Sequence, residues 1–141
     1  MDIRPLTDSY SVTPQITPED LSAIKAAGYR TVICNRPDPE IPEDLHAEAM
    51  RAAVEAAGLR FVVNPVFPGQ LTMENVEIQR DTIDDAEGPV LAYCASGNRS
   101  SIVWALANAG RVPTDDLIAA AGKYGYQLAQ FRGMIDQLAG Q

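Results

Sequence analysis

The run Ile102-Val103-Trp104-Ala105-Leu106-Ala107 is apolar on every side at helical spacing, so a helix built from it must be covered all round. Just upstream, Pro89-Val90-Leu91-Ala92-Tyr93 reads as a buried strand that runs straight into Cys94. A buried strand joined to a buried helix needs layers on both sides, and the rest of the chain supplies them. Strand signals at Tyr10–Val12, Thr31–Cys34 and Leu59–Val63 alternate with helical ones. Thr17-Pro18-Glu19-Asp20 is a helix start, with Thr17 as cap, Leu21 and Ile24 facing inward and Gly28 as the stop. Pro37, Pro39 and Pro42 force a loop, and a helix from Asp44 to Ala57 follows. Thr72 caps a third helix whose acids (Glu74, Glu77, Asp81, Asp84, Asp85) form a solvated surface. The buried helix begins at Ser100 or Ser101, Thr114 caps the next, and Leu128, Phe131, Ile135 and Leu138 mark the last. This alternation predicts an α/β fold, a central mostly parallel sheet flanked by helices, in a single domain over residues 1–141. In such sheets, sites form beyond the C-terminal ends of the strands, where Cys94 lies.

Charge narrows the choice of partner. The chain carries 11 Lys and Arg against 19 Asp and Glu, a net charge of −8, with no basic run. Nucleic acid and anionic membrane are therefore poor partners. Two cysteines make neither a disulfide scaffold nor a structural zinc site, no ligand cluster supports a metal, and no cofactor is expected. The start Met1-Asp2-Ile3-Arg4-Pro5 does not read as a signal peptide and no apolar run approaches a membrane span, so a cytoplasmic location is expected.

The chemistry concentrates in Cys94-Ala95-Ser96-Gly97-Asn98-Arg99-Ser100, between the buried strand and the buried helix. A short turn at a helix start points several backbone amides into one concave space, which suits an anion. Ala95, Ser96, Gly97, Asn98 and Ser100 form that candidate anion-binding loop, with Gly97 supplying the backbone angles of the turn. Arg99 offers a planar fork of donors to a tetrahedral oxyanion. Cys94 then sits in a positive field, where its thiol is expected to ionise below the roughly 8.5 of a free cysteine. A thiolate beneath an oxyanion cradle is a nucleophile for phosphorus or sulfur.

This Cys-loop-Arg cradle resembles those of the cysteine-dependent phosphatases and the rhodaneses. More closely, Ser11–Thr17, Thr31–Asp38 and Pro89–Ser101 resemble the phosphatase-like domain of the beta-lactamase-hydrolase-like proteins, and the likeness covers about residues 5–140. That family carries a dual-specificity-phosphatase-like fold and is also labelled sulfurtransferase. Two departures from the phosphatases bear on the chemistry. Four residues separate Cys94 from Arg99, where phosphatases have five, and Tyr93 stands where they usually carry histidine. The loop that would hold their general acid reads Asn64-Pro65-Val66-Phe67-Pro68-Gly69-Gln70 and contains no acid. Asp38 is the best substitute, although a turn-forming role between prolines is the simpler reading.

These departures favour a rhodanese-type sulfurtransferase. In that reading Cys94 forms a persulfide from thiosulfate or another persulfide while Arg99 and the loop hold the anionic part. The alternative is a phosphatase with a Cys94 phosphocysteine and Asp38 as acid, and a third reading is a non-catalytic anion or persulfide sensor. The substrate is accordingly a small anion: thiosulfate, a persulfide or a phosphoester. The resemblance also implies that Ser100 or Ser101 hydrogen-bonds the Cys94 sulfur, that Cys34 can serve as its redox partner, and that a sulfide-oxidising enzyme is a partner. Cys34 otherwise reads as a buried structural thiol, His46 as a surface residue, Trp104 as core and Arg36 as the partner of nearby acids. Phe67 and Tyr126 are placed to line the pocket.

Overall fold

The computed structural model describes residues 1–140, so Gln141, the last residue of the expected domain, lies outside the described residues. The strands are β1 (Arg4–Pro5), β2 (Tyr10–Thr13), β3 (Thr31–Cys34), β4 (Arg60–Val63) and β5 (Val90–Tyr93). They form one sheet in the order β1-β2-β5-β3-β4, parallel except for β1, which pairs antiparallel to β2. The helices are α1 (Leu21–Ala26), α2 (Ala47–Ala56), α3 (Met73–Asp85), α4 (Asn98–Ala107), α5 (Thr114–Gly122) and α6 (Arg132–Ala139). This is the expected mostly parallel sheet flanked by helices. The two-residue β1 has no apolar alternation and carries a proline, so it left no strand signal.

Side chains alternate between the faces of the sheet as strand geometry requires. Tyr10, Val12, Ile33, Val90 and Ala92 point into a core shared with α3, α4, α5 and α6. Val32, Cys34, Leu91 and Tyr93 point into the opposite core, closed by Ile24 of α1 and by Met50 and Val54 of α2. The connections through α1 and α2 cover one face and the return through α3 covers the other, so the direction of winding reverses around the central strand β5. A crevice forms at such a reversal, and the chain leaving β5 enters it.

All of Ser100–Ala107 is buried, as the apolar sequence of α4 demands. Trp104 stacks on Tyr10 with ring centroids 5.9 Å apart and is core, as expected. Strand ends shift by at most one residue, and three helix starts differ from the sequence reading for a visible reason. A 3-10 turn over Pro18–Asp20 precedes α1, and the Thr17 capping box closes that turn. The second helix begins at Ala47, after a separate 3-10 turn over Glu43–Leu45, because His46 is extended between them at φ −60° and ψ 161°. α4 begins at Asn98, before Ser100, because Gly97 turns the chain at φ 96° and serves as its cap. Thr114 is the first residue of α5 and bonds Asp136 of α6, so it joins two helices where a cap was expected.

Candidate active site

The loop after β5 is built around its own sulfur. Cys94 is 1% exposed, and the Gly97 N–H donates to its Sγ at 3.1 Å. The positive φ of Gly97 makes that return possible within so few residues. The helix then locks on: the Ser101 N–H and hydroxyl both donate to the Gly97 carbonyl, at 3.0 and 2.8 Å. Ala95, Ser96 and Asn98 are exposed, so the loop is open to solvent while its sulfur is recessed.

Arg99 is fixed by a residue that the sequence reading passed over. Its Nη1 donates to Glu40 Oε2 at 2.8 Å and to the Val66 carbonyl at 2.7 Å, and its Nη2 donates to Glu40 Oε1 at 2.8 Å. A guanidinium has five N–H groups. Those contacts use both on Nη1 and one on Nη2. The Nε–H and the second Nη2 proton are left without a hydrogen-bonded partner among the described residues. They share one edge, which is the fork that grips a tetrahedral oxyanion. Glu40 raises the Arg99 pKa chiefly through this hydrogen bond, and Arg99 in turn holds the Glu40 carboxyl below its ordinary range. Arg36 also binds Glu40, with Nε 3.3 Å from Oε1 and Nη2 donating to the Glu40 carbonyl. It thus pairs with a nearby acid, as expected, and Glu40 sits between two arginines.

The remaining candidates are placed as follows. Asp38 Oδ1 accepts the Ala47 N–H at 2.8 Å, so this carboxylate caps α2 from nine positions upstream. Neither the Ser100 nor the Ser101 hydroxyl hydrogen-bonds the Cys94 sulfur: Ser100 Oγ donates to Asn35 Oδ1 at 2.9 Å and Ser101 Oγ donates to the Gly97 carbonyl. Both hydroxyls find stronger acceptors than a thiol within reach, which corrects the expectation of a serine tuning the sulfur. Cys34 lies in register with Tyr93, one residue short of Cys94 on the neighbouring strand. Both cysteines are free, and burial pushes the Cys34 thiol up. His46 is half-buried with Nε2 3.0 Å from the Ile41 carbonyl oxygen, so it is less of a surface residue than expected. Phe67 lines an apolar cavity of about 160 Å³ beside Arg99, with Val66, Leu71, Ile102, Leu106 and Met134. Tyr126 donates from its hydroxyl to the Ser96 carbonyl at 2.7 Å.

Below the loop lies a buried amide network without a counterpart in the sequence reading. Gln79 of α3, 0% exposed, exchanges hydrogen bonds with Asn35 at 3.0 and 3.2 Å and donates to the Tyr10 hydroxyl at 2.9 Å. Asn64 donates to Gln79 Oε1 at 2.8 Å and accepts from Asn75 at 2.7 Å. Tyr10 donates to the Ser100 carbonyl at 2.9 Å, and Asn35 accepts from the Ser100 hydroxyl, so the network grips α4 at its first turn. The signal for it was present in part: Asn75, Gln79 and Thr82 recur at helical spacing with Val76 on the inward side of α3.

Comparison with known proteins agrees with this geometry. The family model described as beta-lactamase hydrolase-like protein, phosphatase-like domain, matches residues 2–111. A beta-lactamase hydrolase-like protein of Xylella fastidiosa (strain Temecula1 / ATCC 700964) is 29% identical over 132 residues, 92% of this chain and 31% of that protein. This chain therefore spans about a third of the length of that curated relative. The crystal structure of a candidate phosphatase from Neisseria meningitidis Z2491 superposes with a TM-score of 0.81 at 35% identity, covering 98% of this chain and 99% of that one. A cysteine-to-serine variant of P. aeruginosa TpbA in complex with phosphotyrosine shares the fold, with a TM-score of 0.69 at 14% identity over 97% of this chain and 87% of that one. The parallel sheet, the loop leaving its central strand and these matches agree: the chain belongs to the family of phosphatase-like domains of beta-lactamase hydrolase-like proteins.

Proposed function

We propose that this chain is a cysteine-dependent phosphatase that acts on small phosphate monoesters whose leaving group needs no proton from the enzyme. The observation that carries the reading is a recessed Cys94 sulfur close enough to Arg99 to act on its charge, with one edge of that guanidinium outside the Glu40 pair, in a fold shared with phosphatases. The Cys94 thiolate attacks phosphorus, the P–O bond to the leaving group breaks, and the loop N–H groups with Arg99 stabilise the equatorial oxygens. Water then cleaves the phosphocysteine, releasing phosphate and the thiolate. The phosphotyrosine bound by the TpbA variant supports an aryl ester as the substrate type, here one whose phenol is more acidic than tyrosine's, and the apolar cavity beside Arg99 offers room for its ring. Kinship with phosphatases thus reverses the order in which the sequence alone ranked the two chemistries.

The restriction on leaving group follows from the acids. The loop from Asn64 to Gln70 has none, Asp38 holds the Ala47 amide, and Arg99 keeps Glu40 ionised. The reading therefore assigns no step to Asp38. The same absence favours a second reading, rhodanese-type sulfur transfer. There the Cys94 thiolate attacks the outer sulfur of thiosulfate, the S–S bond breaks and sulfite leaves without a proton. In that reading a sulfide-oxidising enzyme is the expected partner.

One experiment addresses both. Wild-type protein and the Cys94→Ser variant are each mixed with 4-nitrophenyl phosphate and, separately, with thiosulfate. Phosphate release and a phosphate adduct on the Cys94 peptide, absent from the variant, support the first reading. A one-sulfur gain on that peptide, transferable to cyanide and without phosphate release, replaces it with the second.

A further inference from the structure

Every peptide bond in the described chain is trans, so the C=O and N–H of each unit point in opposite directions. In the unit joining Ser96 to Gly97, the carbonyl is held outward by the Tyr126 hydroxyl at 2.7 Å. The N–H of that same unit faces the other way, and it is the one that donates to Cys94 Sγ at 3.1 Å. The preceding unit repeats the arrangement, because the Ala95 carbonyl accepts from the Gln15 backbone N–H at 3.3 Å. The Ser96 N–H of that unit therefore points away from Gln15.

Tyr126 is itself held in place. Arg4 Nη1 donates to its hydroxyl at 2.7 Å and the Arg4 guanidinium lies 5.6 Å from the ring centroid. Asp2 fixes Arg4 in turn, accepting from Nε at 3.0 Å. A charged donor on the Tyr126 oxygen polarises its O–H and strengthens the bond to Ser96. The fit leaves no slack: a Cβ at residue 97 would lie 2.3 Å from the Tyr126 hydroxyl.

We infer that Tyr126, backed by Arg4, is a positioning residue that orients the Ser96–Gly97 peptide so that its N–H stabilises the Cys94 thiolate and completes the oxyanion cradle. The inference rests on the reading of Cys94 as nucleophile and is indifferent to whether phosphorus or sulfur is attacked. Tyr126 acts through the peptide and touches no reacting atom.

The test is Tyr126→Phe, which removes one oxygen and keeps the ring. Alkylation of Cys94 by iodoacetamide is followed against pH by peptide mass spectrometry, which separates it from Cys34, with and without inorganic phosphate as protectant. The expected result is a rate at mildly acidic pH lower by about three- to tenfold, an unchanged plateau at alkaline pH, and weaker protection by phosphate. Arg4→Met shifts the profile the same way by less. A purely structural role would lower the melting temperature and leave the midpoint of the profile where it was. A folded Tyr126→Phe protein with the wild-type midpoint and wild-type protection overturns the inference. If that variant does not fold, Arg4→Met decides by the same two readouts. Alkylation needs no turnover, so failure of the proposed phosphatase activity is seen separately, in the wild-type protein.

Discussion

Glu40 meets Arg99 end-on, both terminal nitrogens of the guanidinium donating to its carboxylate at 2.8 Å. The Nε–H and the second Nη2 proton, on the side edge of the guanidinium, are thereby left outside the ion pair. A carboxylate in this position orients the arginine and also takes up part of its charge. Orientation dominates, because the pair is bidentate and only 13% of the Arg99 side chain is exposed.

Glu40→Gln breaks this geometry without changing the size of the side chain. Loss of one charge-assisted hydrogen bond costs about 1.5–3 kcal/mol, so anion affinity falls by roughly ten- to a hundredfold. Calorimetric titration of sulfate into the Cys94→Ser protein measures it. Tighter binding in Glu40→Gln would show instead that Glu40 competes with the ligand for Arg99.

The same pair has a defined pH dependence. Arg99 depresses the Glu40 carboxyl in the folded protein, so the pairing is complete above the ordinary carboxylate range and is lost as pH falls through the lowered value. Sulfate affinity is therefore flat from neutral pH down through the ordinary carboxylate range and drops only at more acidic pH. Sulfate is the right probe because it does not titrate over this span. In Glu40→Gln that acid limb is absent, and a limb near neutral pH in the wild type would point to a different group.

Asp38 offers a clean separation of structure from catalysis. Asp38→Ala removes the acceptor for the Ala47 amide and lowers stability by about 1 kcal/mol, whereas Asp38→Asn keeps an oxygen there and costs less. Neither changes kcat on 4-nitrophenyl phosphate by more than about twofold. A loss of about a hundredfold with Asp38→Asn, growing as the leaving group worsens, would make Asp38 the general acid after all.

The legible parts of this molecule were those written locally. The apolar strand into Cys94, Gly97 at the turn and the apolar α4 each carry their signal within a few residues, and the cradle follows from them. Glu40 was illegible because its partner is Arg99, far along the chain, while Asp38, two residues away, looked the better acid. Asn35, Asn64 and Gln79 carry no local mark of burial in the sequence. Their burial depends on how α3 crosses the sheet, which no local pattern encodes. The serines differ from expectation for a related reason: their sequence position suited the sulfur, but Asn35 and the Gly97 carbonyl accept their hydroxyls instead.

Gln79→Leu tests whether that buried network supports the site. Leucine fits the space but strands donors and acceptors on Asn35, Asn64 and Tyr10, all of which bond Gln79 in the native protein. Unsatisfied buried polar groups cost about 1–3 kcal/mol each, so a loss of roughly 3 kcal/mol or more is expected in urea unfolding. Because Asn35 also accepts from Ser100, sulfate affinity falls as well at temperatures where the variant is fully folded. Unchanged affinity would restrict the network to stability.

Gly97→Ala concentrates two penalties at one atom. The residue sits at φ 96°, which an alanine adopts only with strain, and its new Cβ would lie 2.3 Å from the Tyr126 hydroxyl and 3.0 Å from the ring carbon that carries it. The single variant therefore loses stability by about 2 kcal/mol or more, and the Gly97 N–H leaves the Cys94 sulfur. Combining it with Tyr126→Leu removes the collision but not the backbone strain. The double variant should thus recover part of the melting temperature while its Cys94 stays slow to alkylate at mildly acidic pH, since the outward anchor on Ser96 is gone. Recovery of both together would mean that the collision alone mattered. Recovery of neither would mean that the φ of residue 97 governs the loop without help from Tyr126.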